Sequence, residues 1–436
     1  MKKLVITVAL ALAACAESSP PPDLGYGANP QLPPPKEDGA IPTLNPATAV
    51  GWPDDAAPVA PAGFVVTRYA ENLTHPRWLY VLPNGDVLVA ESSTTPSEGG
   101  GIVGWIRNLV QRRAGAIAEN ANRITLLRDS DRDGDVDERH VFAEGLNQPF
   151  GMVLVGDKIY VGNTDAVVRF TYRTGAIRVT GAGETVLQLP YNEGSNGHWT
   201  RNLIANADGS KIYVAVGSVS NAGDDGMEVE QGRAAIWEFN PDGSDARIYA
   251  SGLRNPVGMG WAPGANTLWV AVNERDMLGD NLVPDYMTSV REGGFYGWPY
   301  YYFGDHRDER IDIPANVRLP SPIAPDYALG SHTASLGLTF YTASAFPAQY
   351  RGGAFIGQHG SWNRNEPSGY KVIFVPFSNG VPNGPPQDFL TGFLDGRGGA
   401  RGRPVGVATD QTGALLVADD AGDIVWRVAP AAAATQ

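Results

Sequence analysis

The stretch that decides the fold is residues 76–90, PRWLYVLPNGDVLVA, in which two short apolar runs flank a turn centred on Gly85. Runs of this length, rich in aliphatic and aromatic residues and separated by Pro-Asn-Gly, are typical of a β-hairpin. The phrase returns as PFGMVLVGDKIYVG at 149–162, RNLIANADGSKIYVA at 201–215, PVGMGWAPGANTLWVA at 256–271 and PVGVATDQTGALLVA at 404–418. A hairpin repeated along the chain predicts an architecture built from similar β units.

A weaker sixth copy runs from Leu336 to Ile356, and a run such as Ala235–Phe239 is interpreted as an outer strand of the same unit. Six copies over residues 63–430 give about 61 residues each, the size of a four-stranded blade with its loops. We therefore predict an all-β fold, with one six-bladed β-propeller of four-stranded blades at 62–430. The alternative is a pair of β-sandwiches with chance similarity, which explains less well why the repeats run the full length.

The composition agrees with this architecture and excludes several classes of function. There are 53 Gly and 34 Pro among 436 residues, with 43% hydrophobic residues. That is too apolar for a disordered chain and too rich in turn formers for a helical bundle. The formal net charge is −14, so no nucleic-acid partner is expected. A single cysteine excludes a disulfide framework and a cysteine-based structural zinc site.

The N-terminus has the pattern of an export signal. Two lysines precede an apolar run at 4–12, and Cys15 follows two alanines, which resembles the bacterial lipoprotein signal whose cysteine is lipidated. Residues 1–15 are predicted to be this signal peptide, with ordinary secretion and an incidental cysteine as the alternative. Residues 16–61 are rich in proline and small residues, which predicts a flexible tether. We expect an exported protein, lipid-anchored in the periplasm or at the cell surface, with the outer membrane favoured.

A propeller gathers the loops that enter its innermost strands around one mouth of the central channel. Residues just before or inside the first run of each phrase should therefore meet in space. These candidates are His75, Arg77, Gln148, His198, Arg201, Arg254, Asn255, His332, Arg401 and Arg403. Arginines gathered in an acidic protein indicate a bound polyanion, because guanidinium groups bind carboxylates and phosphates through paired hydrogen bonds. The alternative is that each arginine pairs with a neighbouring acid between blades.

Two histidines are candidates for chemistry. His198 lies directly before an inner-strand phrase, where a neutral imidazole can remove a hydroxyl proton as general base. The alternative is a histidine that only shapes a turn. His359 lies in the polar loop QHGSWNR at 358–364, after an inner run. In that loop Trp362 either stacks on a flat cofactor or fills the interface between blades.

Two acidic clusters are candidate metal sites. In the first, alternating aspartates surround a glycine, as the oxygen ligands of a calcium loop do: Asp129, Asp131, Asp133, Asp135 and Asp137. His140 replaces the usual glutamate at the twelfth position and no helical pair flanks the run. The pattern therefore predicts a calcium-binding β-turn, with a solvated acidic loop as the alternative. The second cluster follows an inner-strand phrase and should lie nearer the mouth; its members are Glu274, Asp276, Asp280 and Asp285.

Several common catalytic motifs are missing from the sequence. There is no GxGxxG after a predicted strand, no P-loop, no GxSxG and no HExxH. Nicotinamide-dependent, nucleotide-dependent and serine-hydrolase functions lose most of their support.

Three motifs and one long loop resemble the pyrroloquinoline quinone (PQQ)-dependent glucose/sorbosone dehydrogenases. The motifs are GLRNP at 252–256, GGFYGWP at 293–299 and RGR at 401–403, and residues 355–377 are similar to the sorbosone-type branch, including soluble aldose sugar dehydrogenases. The resemblance covers about residues 63–428. It implies a six-bladed propeller with the quinone and calcium at the channel mouth. It also implies oxidation of a sugar or sugar-derived aldehyde by hydride transfer to the quinone.

Residue by residue, the resemblance implies His198 as the catalytic base and Arg254 as the arginine beside the reactive quinone carbonyl. Asn255 matches a neighbour that contacts the cofactor, and Arg401 and Arg403 match the pair that binds its carboxylates. Other candidates for cofactor contact are Gln148, His359, Trp362 and Arg364. The glucose-type enzymes bind calcium partly through backbone carbonyls of a Gly-Pro pair, and the aligned region here reads Asp276-Met277. Side-chain ligation is therefore a hypothesis here, through Glu274, Asp276 or Asp280.

Two other functions stay open. A calcium-dependent propeller lactonase or hydrolase would use His198 as base on a metal-bound water, and it needs several carboxylates and amides pointing down the channel. A non-enzymatic surface binding scaffold would need only the propeller and its lipid tether. If the protein is a quinoprotein, its membrane tether predicts a respiratory quinone or a cytochrome as electron acceptor.

Overall fold

Almost all regular structure is β in the residues that the computed structural model of the protein describes, namely 25–36, 43–96, 108–192 and 197–432. Helical structure in these ranges is confined to a segment at 108–113 and the 3-10 helix Ala348–Tyr350. Six sheets of four or five strands form a six-bladed β-propeller, which confirms the predicted fold. The first strands of successive blades contact one another around the axis and are therefore innermost.

Each blade is an antiparallel meander, and the blades are numbered here in chain order of their innermost strands. Blade 1 contains Pro76–Val81, Val87–Glu91, Arg123–Arg128 and Glu138–Ala143. Blade 2 contains Met152–Val155, Lys158–Gly162, Ala166–Thr171 and Glu184–Gln188. Blade 3 contains Leu203–Ala205, Ile212–Val216, Ala235–Phe239 and Arg247–Ser251, with Gly294–Phe295 added in parallel at its outer edge.

The second half of the ring follows the same plan. Blade 4 contains Asn255–Trp261, Leu268–Asn273, Pro284–Ser289 and Tyr327–Ser331, with Tyr26–Gly27 as a fifth strand. Blade 5 contains Ser335–Phe340, Ala354–Gln358, Lys371–Val375 and Gln387–Leu390. Blade 6 contains Pro404–Thr409, Leu415–Asp419, Ile424–Pro430 and Phe64–Ala70. Two short ribbons pair Tyr301–Tyr302 with His306–Arg307 and Phe377–Ser378 with Val381–Pro382.

The ring is closed by pairing the two ends of the propeller in one sheet. Phe64–Ala70 runs antiparallel to Ile424–Pro430 and forms the outermost strand of blade 6. The other three strands of this blade come from the C-terminal end of the chain. Backbone hydrogen bonds between the two strands therefore hold the first and last blades together.

All six copies of the repeated phrase form the two innermost strands of a blade. The weak sixth copy corresponds to Ser335–Phe340 and Ala354–Gln358 in blade 5. Ala235–Phe239 is the third strand of blade 3, as its interpretation as an outer strand predicted. The repeat therefore located the inner wall of the propeller correctly in every blade.

Glycines of the repeated phrase let neighbouring inner strands approach closely. A Cβ atom on Gly337 in blade 5 would lie 2.0 Å from the carbonyl oxygen of Val405 in blade 6. A Cβ on Gly258 in blade 4 would lie 2.4 Å from the amide nitrogen of Leu338 in blade 5, and Gly151 approaches blade 3 in the same way. Because the obstructing atoms belong to backbone, they cannot move aside as a flexible side chain can.

A cluster of buried apolar residues, the axial cluster, lies where the inner strands converge. It brings together side chains from five blades: Trp78, Phe150, Val257, Leu336 and Val405. Each is less than a tenth exposed. Residues from the inner strands of so many blades meet only near the axis of the ring. Hydrophobic side chains therefore surround the axis at the level of these residues.

The described part of the N-terminal segment differs from the expected tether. Tyr26–Gly27 pairs with blade 4, and residues 43–60 lie against loops of blades 5, 6 and 1. Trp52 packs edge-on against Trp426 with ring centroids 5.0 Å apart, and its indole N–H donates to Asp419 at 2.7 Å. The composition did not reveal this docking because a few anchoring side chains hold an otherwise proline-rich stretch. For these residues the prediction of a flexible tether is wrong.

The predicted signal peptide and its lipidation site, Cys15, lie outside the described residues, as does the start of the predicted tether. Export and lipidation therefore stay predictions. Among the described helical segments, none is long and apolar enough to cross a membrane.

Replacing Gly337 with alanine should destabilise the propeller, because the new methyl group would overlap the Val405 carbonyl of the next blade. We expect the free energy of unfolding to fall by about 2 kcal/mol or more, as for other overpacked sites. Gly396→Ala is the matched control, because a Cβ there meets nothing within 4 Å. Urea unfolding followed by tryptophan fluorescence measures both variants. Equal stabilities would contradict the close approach of the inner strands.

Candidate active site

The alternation of strands decides which loops share the mouth. In an antiparallel meander, the loop that enters the first strand and the loop between the second and third strands lie on the same face. The loop between the third and fourth strands lies on the opposite face. Most residues of the candidate site belong to loops of the first two kinds, and contacts join them across blades.

Asp420, directly after the second strand of blade 6, binds residues from two neighbouring blades. Its carboxylate forms a close ion pair with Arg77, at the start of blade 1. The same oxygen lies 2.8 Å from Nε2 of His359 in blade 5 and 3.3 Å from Nε2 of His75. Arg77 also lies over the ring of Trp199, 5.4 Å from its centroid. Predicted mouth residues from separate repeats are thus brought together.

Protonation in this group follows from burial and charge. Burial alone would raise the pKa of Asp420, but its contacts with His359, His75 and Arg77 outweigh burial and hold that pKa well below its usual range. Burial lowers the pKa of both His75 and His359 to about 4. Both imidazoles are therefore neutral near pH 7, and Arg77 balances the carboxylate.

A second buried carboxylate, Asp276, lies after the second strand of blade 4. It accepts hydrogen bonds from Trp362 Nε1 at 3.0 Å and His332 Nδ1 at 3.0 Å, and it lies 3.4 Å from Nη2 of Arg254. Nε2 of His332 lies 3.0 Å from the carbonyl oxygen of Gly279. Burial alone would lower the pKa of His332, but Asp276 outweighs it and raises that pKa. An acceptor at each nitrogen favours the protonated form of His332.

Arg254 is oriented mainly by backbone and amide oxygens. It donates to the carbonyl oxygen of Glu274 at 2.6 Å and to the carbonyl and side-chain oxygens of Asn221 at 3.0 and 2.9 Å. Its side chain is 4% exposed. A guanidinium held by neutral acceptors, with one carboxylate at longer range, retains much of its positive field at the mouth.

His198 has its orientation and tautomer set by one neighbour. Its Nδ1 lies 2.9 Å from the carbonyl oxygen of Ser218, so Nδ1 carries the proton and Nε2 the lone pair. Burial, followed by the positive charge of Arg254, lowers the pKa of His198 to about 3. Gly217 lies beneath it, where a Cβ would come within 2.5 Å of both His198 and Asn255. The geometry provides a neutral, oriented imidazole beside a buried cation.

The two arginines of the RGR motif occupy different environments. Arg403 is buried, lies over the ring of Tyr370 at 5.6 Å and donates to the carbonyl oxygen of Ala47 at 3.3 Å. Arg401 is half-buried and lies over the ring of Trp52 at 5.9 Å. Only Arg403 is as deeply buried as the arginines of the two carboxylate clusters.

Three other candidates bond to residues outside the clusters around Asp420 and Asp276. Gln148 donates to the carbonyl oxygen of Ser93 at 2.8 Å, between blades 1 and 2. Arg364 donates to the carbonyl oxygen of Asp280 at 2.9 Å. Arg201 is fully buried and donates to the carbonyl oxygens of His198 and Thr200, at 2.8 and 2.9 Å, which fixes the turn that carries His198.

The carboxylates proposed as mouth calcium ligands are bonded to different partners. Glu274 accepts hydrogen bonds from the backbone and side chain of Arg275 at 2.9 and 3.0 Å. Asp276 accepts hydrogen bonds from the donors described above. The carboxylate of Asp280 accepts a hydrogen bond from the side-chain amide of Asn365 at 2.7 Å. The described structure does not bring the three carboxylates together around one point. Arginine, histidine, indole and amide donors satisfy them instead.

The acidic run of blade 1 contains a different grouping from the predicted one. Asp129, Asp131 and Asp137 place ligand atoms within 4.8 Å of one another, whereas Asp133 and Asp135 lie outside this group. The run joins the third and fourth strands of blade 1 and therefore lies on the face opposite the mouth. This loop is not positioned to take part in chemistry at the mouth.

Two residues at the mouth were not singled out from the sequence. Asp420 holds the cluster of Arg77, His359 and His75, and Asn221 holds Arg254 and the backbone of Asp276. Both follow the second strand of a blade. The predicted topology places those loops at the mouth too, but the repeated phrase ends at the second strand and does not extend to either residue.

A family model and one curated relative match the chain in sequence. The model of the TrAA12-like family matches residues 58–289 and 320–430, which is most of the chain. In sequence, the aldose sugar dehydrogenase YliI of Escherichia coli (strain K12) is 30% identical over 116 residues, covering 26% of this chain and 29% of that protein.

Two solved structures show the same fold. The holo form of the PQQ domain of pyranose dehydrogenase from Coprinopsis cinerea is similar with a TM-score of 0.66 and 20% identity, over 88% of this chain and 100% of that one. The calcium structure of the family AA12 carbohydrate-active enzyme from Trichoderma reesei gives a TM-score of 0.67 and 20% identity, over 89% and 99% of the two chains.

Histidine titrations should separate the mouth imidazoles. We expect His75, His198 and His359 to stay neutral down to about pH 4, and His332 to stay charged above pH 6.5. Each of the first three binds its proton more readily in the unfolded chain, so the free energy of unfolding should fall as the pH drops from about 6.5 toward 4. Nitrogen-15 imidazole shifts of the labelled protein measure all six histidines. An ordinary midpoint near 6.5 at the first three would contradict their burial.

Proposed function

The chain belongs to the TrAA12-like family, and on that premise we propose that it is an oxidoreductase that oxidises a sugar with PQQ as cofactor. One observation carries the proposal. Arginines from separate blades converge at the mouth of a strongly acidic protein, beside a neutral histidine of defined tautomer. The names of the similar structures, which include a pyranose dehydrogenase PQQ domain, support the same chemistry.

The residues at the mouth fit a carboxylated quinone. In the described structure the Nε atoms of Arg77 and Arg403 are buried without a hydrogen-bond partner. A buried N–H without an acceptor is costly, and carboxylate oxygens are the acceptors that a guanidinium prefers. Trp362 is 36% exposed and offers a flat apolar ring beside this group. When bound, the quinone would supply the acceptor for the hydride that leaves the substrate carbon.

His198 is proposed as the general base. Nδ1 is held by the Ser218 carbonyl oxygen, so Nε2 is the nitrogen that accepts a proton from the substrate hydroxyl group. The low pKa keeps the imidazole unprotonated before the substrate arrives. Arg254 contributes by its fixed positive charge, which stabilises negative charge that develops next to it.

Calcium at the mouth is supported less directly. The side chains of Glu274, Asp276 and Asp280 do not fit as a ligand set, because arginine, histidine, indole and amide donors already satisfy them. We therefore derive no catalytic role from calcium. A requirement for calcium stays a prediction for the assay below.

The proposed substrate is a sugar of the aldose or pyranose type. A narrower proposal is that it is a sorbosone-type aldehyde. The axial cluster places hydrophobic side chains around the axis, where such a channel would run. A lactonase that needs carboxylates and amides along the channel is therefore disfavoured. A binding scaffold would not explain why arginines are buried at the mouth or why His198 is held in one orientation.

The quinone requirement is tested by titration and assay. We expect purified protein to bind PQQ saturably by absorbance, and to reduce an artificial dye with aldoses only when PQQ is added. Calcium is varied separately, and sorbosone and simple alcohols complete the substrate panel. Lactone hydrolysis without PQQ would favour the hydrolase, whereas no PQQ binding and no hydrolysis would favour the scaffold. Either result would overturn the quinoprotein proposal.

His198→Ala should separate binding from turnover. We expect kcat to fall by about 10²- to 10⁴-fold, because the proton acceptor is lost, while the Kd for PQQ changes little. His140→Ala is the matched control, since His140 lies on the outermost strand of blade 1 and pairs with Glu138. Retained turnover in the His198 variant would remove it as the base.

We also propose that Cys15 anchors the protein to a membrane, with a respiratory quinone or a cytochrome as electron acceptor. Growth with labelled palmitate should label the wild-type protein and move it to the membrane fraction. Cys15→Ser should abolish both. A wild-type protein without label, released as a soluble product, would contradict the anchor.

A further inference from the structure

Residues 43–52, here called the strap, cross the mouth face over the loops of blades 5, 6 and 1. Their contacts are mostly backbone hydrogen bonds, which tie a proline-containing stretch to the rim without a regular strand. The amide of Ala49 bonds to Arg113 in the loop of blade 1, and the amide of Val50 bonds to Ala400 beside blade 6. The strap therefore forms part of the rim of the candidate active site.

One end of the strap holds the loop that carries Trp362. The side-chain amide of Asn363 donates to the carbonyl oxygen of Thr43 at 2.7 Å. The backbone amide of Asn45 donates to the carbonyl oxygen of Trp362 at 2.8 Å, and its side chain donates to Asn365 at 2.8 Å. These bonds fix the backbone from which the Trp362 ring reaches the mouth.

The other end of the strap holds the RGR motif. Arg403 donates to the carbonyl oxygen of Ala47 at 3.3 Å, and Ala400 exchanges backbone hydrogen bonds with Thr48 and Val50, each at 2.8 Å. Both flanks of Arg401 are thereby connected to the strap. The strap is thus bonded directly to the segment that contains the two arginines.

Trp52 connects the strap to both arginines at once. Its ring lies under the guanidinium of Arg401, 5.9 Å from the centroid. Its N–H donates to one oxygen of Asp419 at 2.7 Å, and the other oxygen of Asp419 accepts the backbone amide of Arg403 at 2.7 Å. Asp419 is fully buried and a Cβ on Gly402 would lie 2.0 Å from it, so this arrangement has little room to shift.

We propose that the strap is part of the ligand site and that Trp52 is a positioning residue for Arg401 and Arg403. Stacking holds the first guanidinium, and the shared Asp419 carboxylate holds the backbone of the second. Losing Trp52 leaves Asp419 with one donor fewer and releases Arg401 from its only described ring contact. The nature of the ligand, an anionic quinone, rests on the proposed function, whereas the positioning does not.

The positioning is tested first on the full-length protein without any ligand. In Trp52→Ala, hydrogen exchange at the amides of 400–403 should become at least about tenfold faster, because Asp419, which accepts the amide of Arg403, loses one of the donors that hold its carboxylate in place. Amides in the inner strands of blades 2 and 3 should keep their wild-type rates. Val59→Ala is the matched control, since Val59 lies outside the strap with 61% exposure. Unchanged exchange at 400–403, or equal acceleration in all blades, would overturn the proposal.

Ligand binding gives the second measurement, at a temperature where circular dichroism shows every variant folded. We expect the Kd for PQQ to rise about tenfold or more in Trp52→Ala and to stay within twofold in Val59→Ala. Trp52→Phe keeps a ring under Arg401 but loses the donor to Asp419, so its Kd should fall between. A Kd in Trp52→Ala equal to that of the wild type would contradict the role of the strap in binding.

The two measurements distinguish the failure of each idea. A wild-type protein that does not bind PQQ would refute the proposed function, and hydrogen exchange would still decide whether Trp52 positions the RGR segment. A wild-type protein that binds PQQ, with Trp52→Ala indistinguishable in both measurements, would refute only the strap.

Discussion

The rest of the structure depends on the contact between backbones of neighbouring inner strands. At Gly337 a single added carbon would lie 2.0 Å from the next blade, so the spacing of the blades at the axis is set by main-chain atoms. With this tight spacing, the side chains of the axial cluster pack against one another around the axis. It also brings the loops at the ends of the strands close enough for side chains of different blades to bond directly, as Arg77 and His359 do with Asp420.

Buried carboxylates balance the charge of arginines at the mouth. Arg77 and Arg254 reach it from blades 1 and 4, and each lies beside one aspartate, Asp420 or Asp276, that also bonds to histidine. Removing a charge from water is costly unless partners compensate, and each of these aspartates balances the arginine beside it. Arg403 is buried without an ion pair among the described residues and bonds to a carbonyl oxygen instead. The mouth therefore keeps positive character within a protein of net charge −14.

Much of the fold, and several residues of the mouth, could be predicted from the sequence because each copy of the repeat forms the inner hairpin of one blade. Once the innermost strands were known, His198 and Arg254 followed as residues that enter the mouth, although they are far apart from His75 in the chain. The partners of the charged groups could not be predicted in this way. Glu274 has the composition of a metal ligand, but Arg275, the next residue, turns to bond it. Such pairings depend on side-chain rotamers and on loop paths, for which a repeat carries no signal.

The strap lies at the mouth because of its own contacts and not because of the way the ring closes. Phe64–Ala70, the outermost strand of blade 6, begins on the face opposite the mouth, and the chain before it passes blades 5 and 6, where Val59 pairs with Thr391 and Val50 bonds to Ala400. The loops of those two blades carry the RGR motif and the loop of Trp362. An N-terminal segment of low complexity is therefore placed next to the least regular part of the mouth, where it supplies backbone acceptors and one tryptophan. Composition predicted a tether for this segment because composition averages over many residues. Docking depends instead on a few contacts, such as that between Trp52 and Asp419.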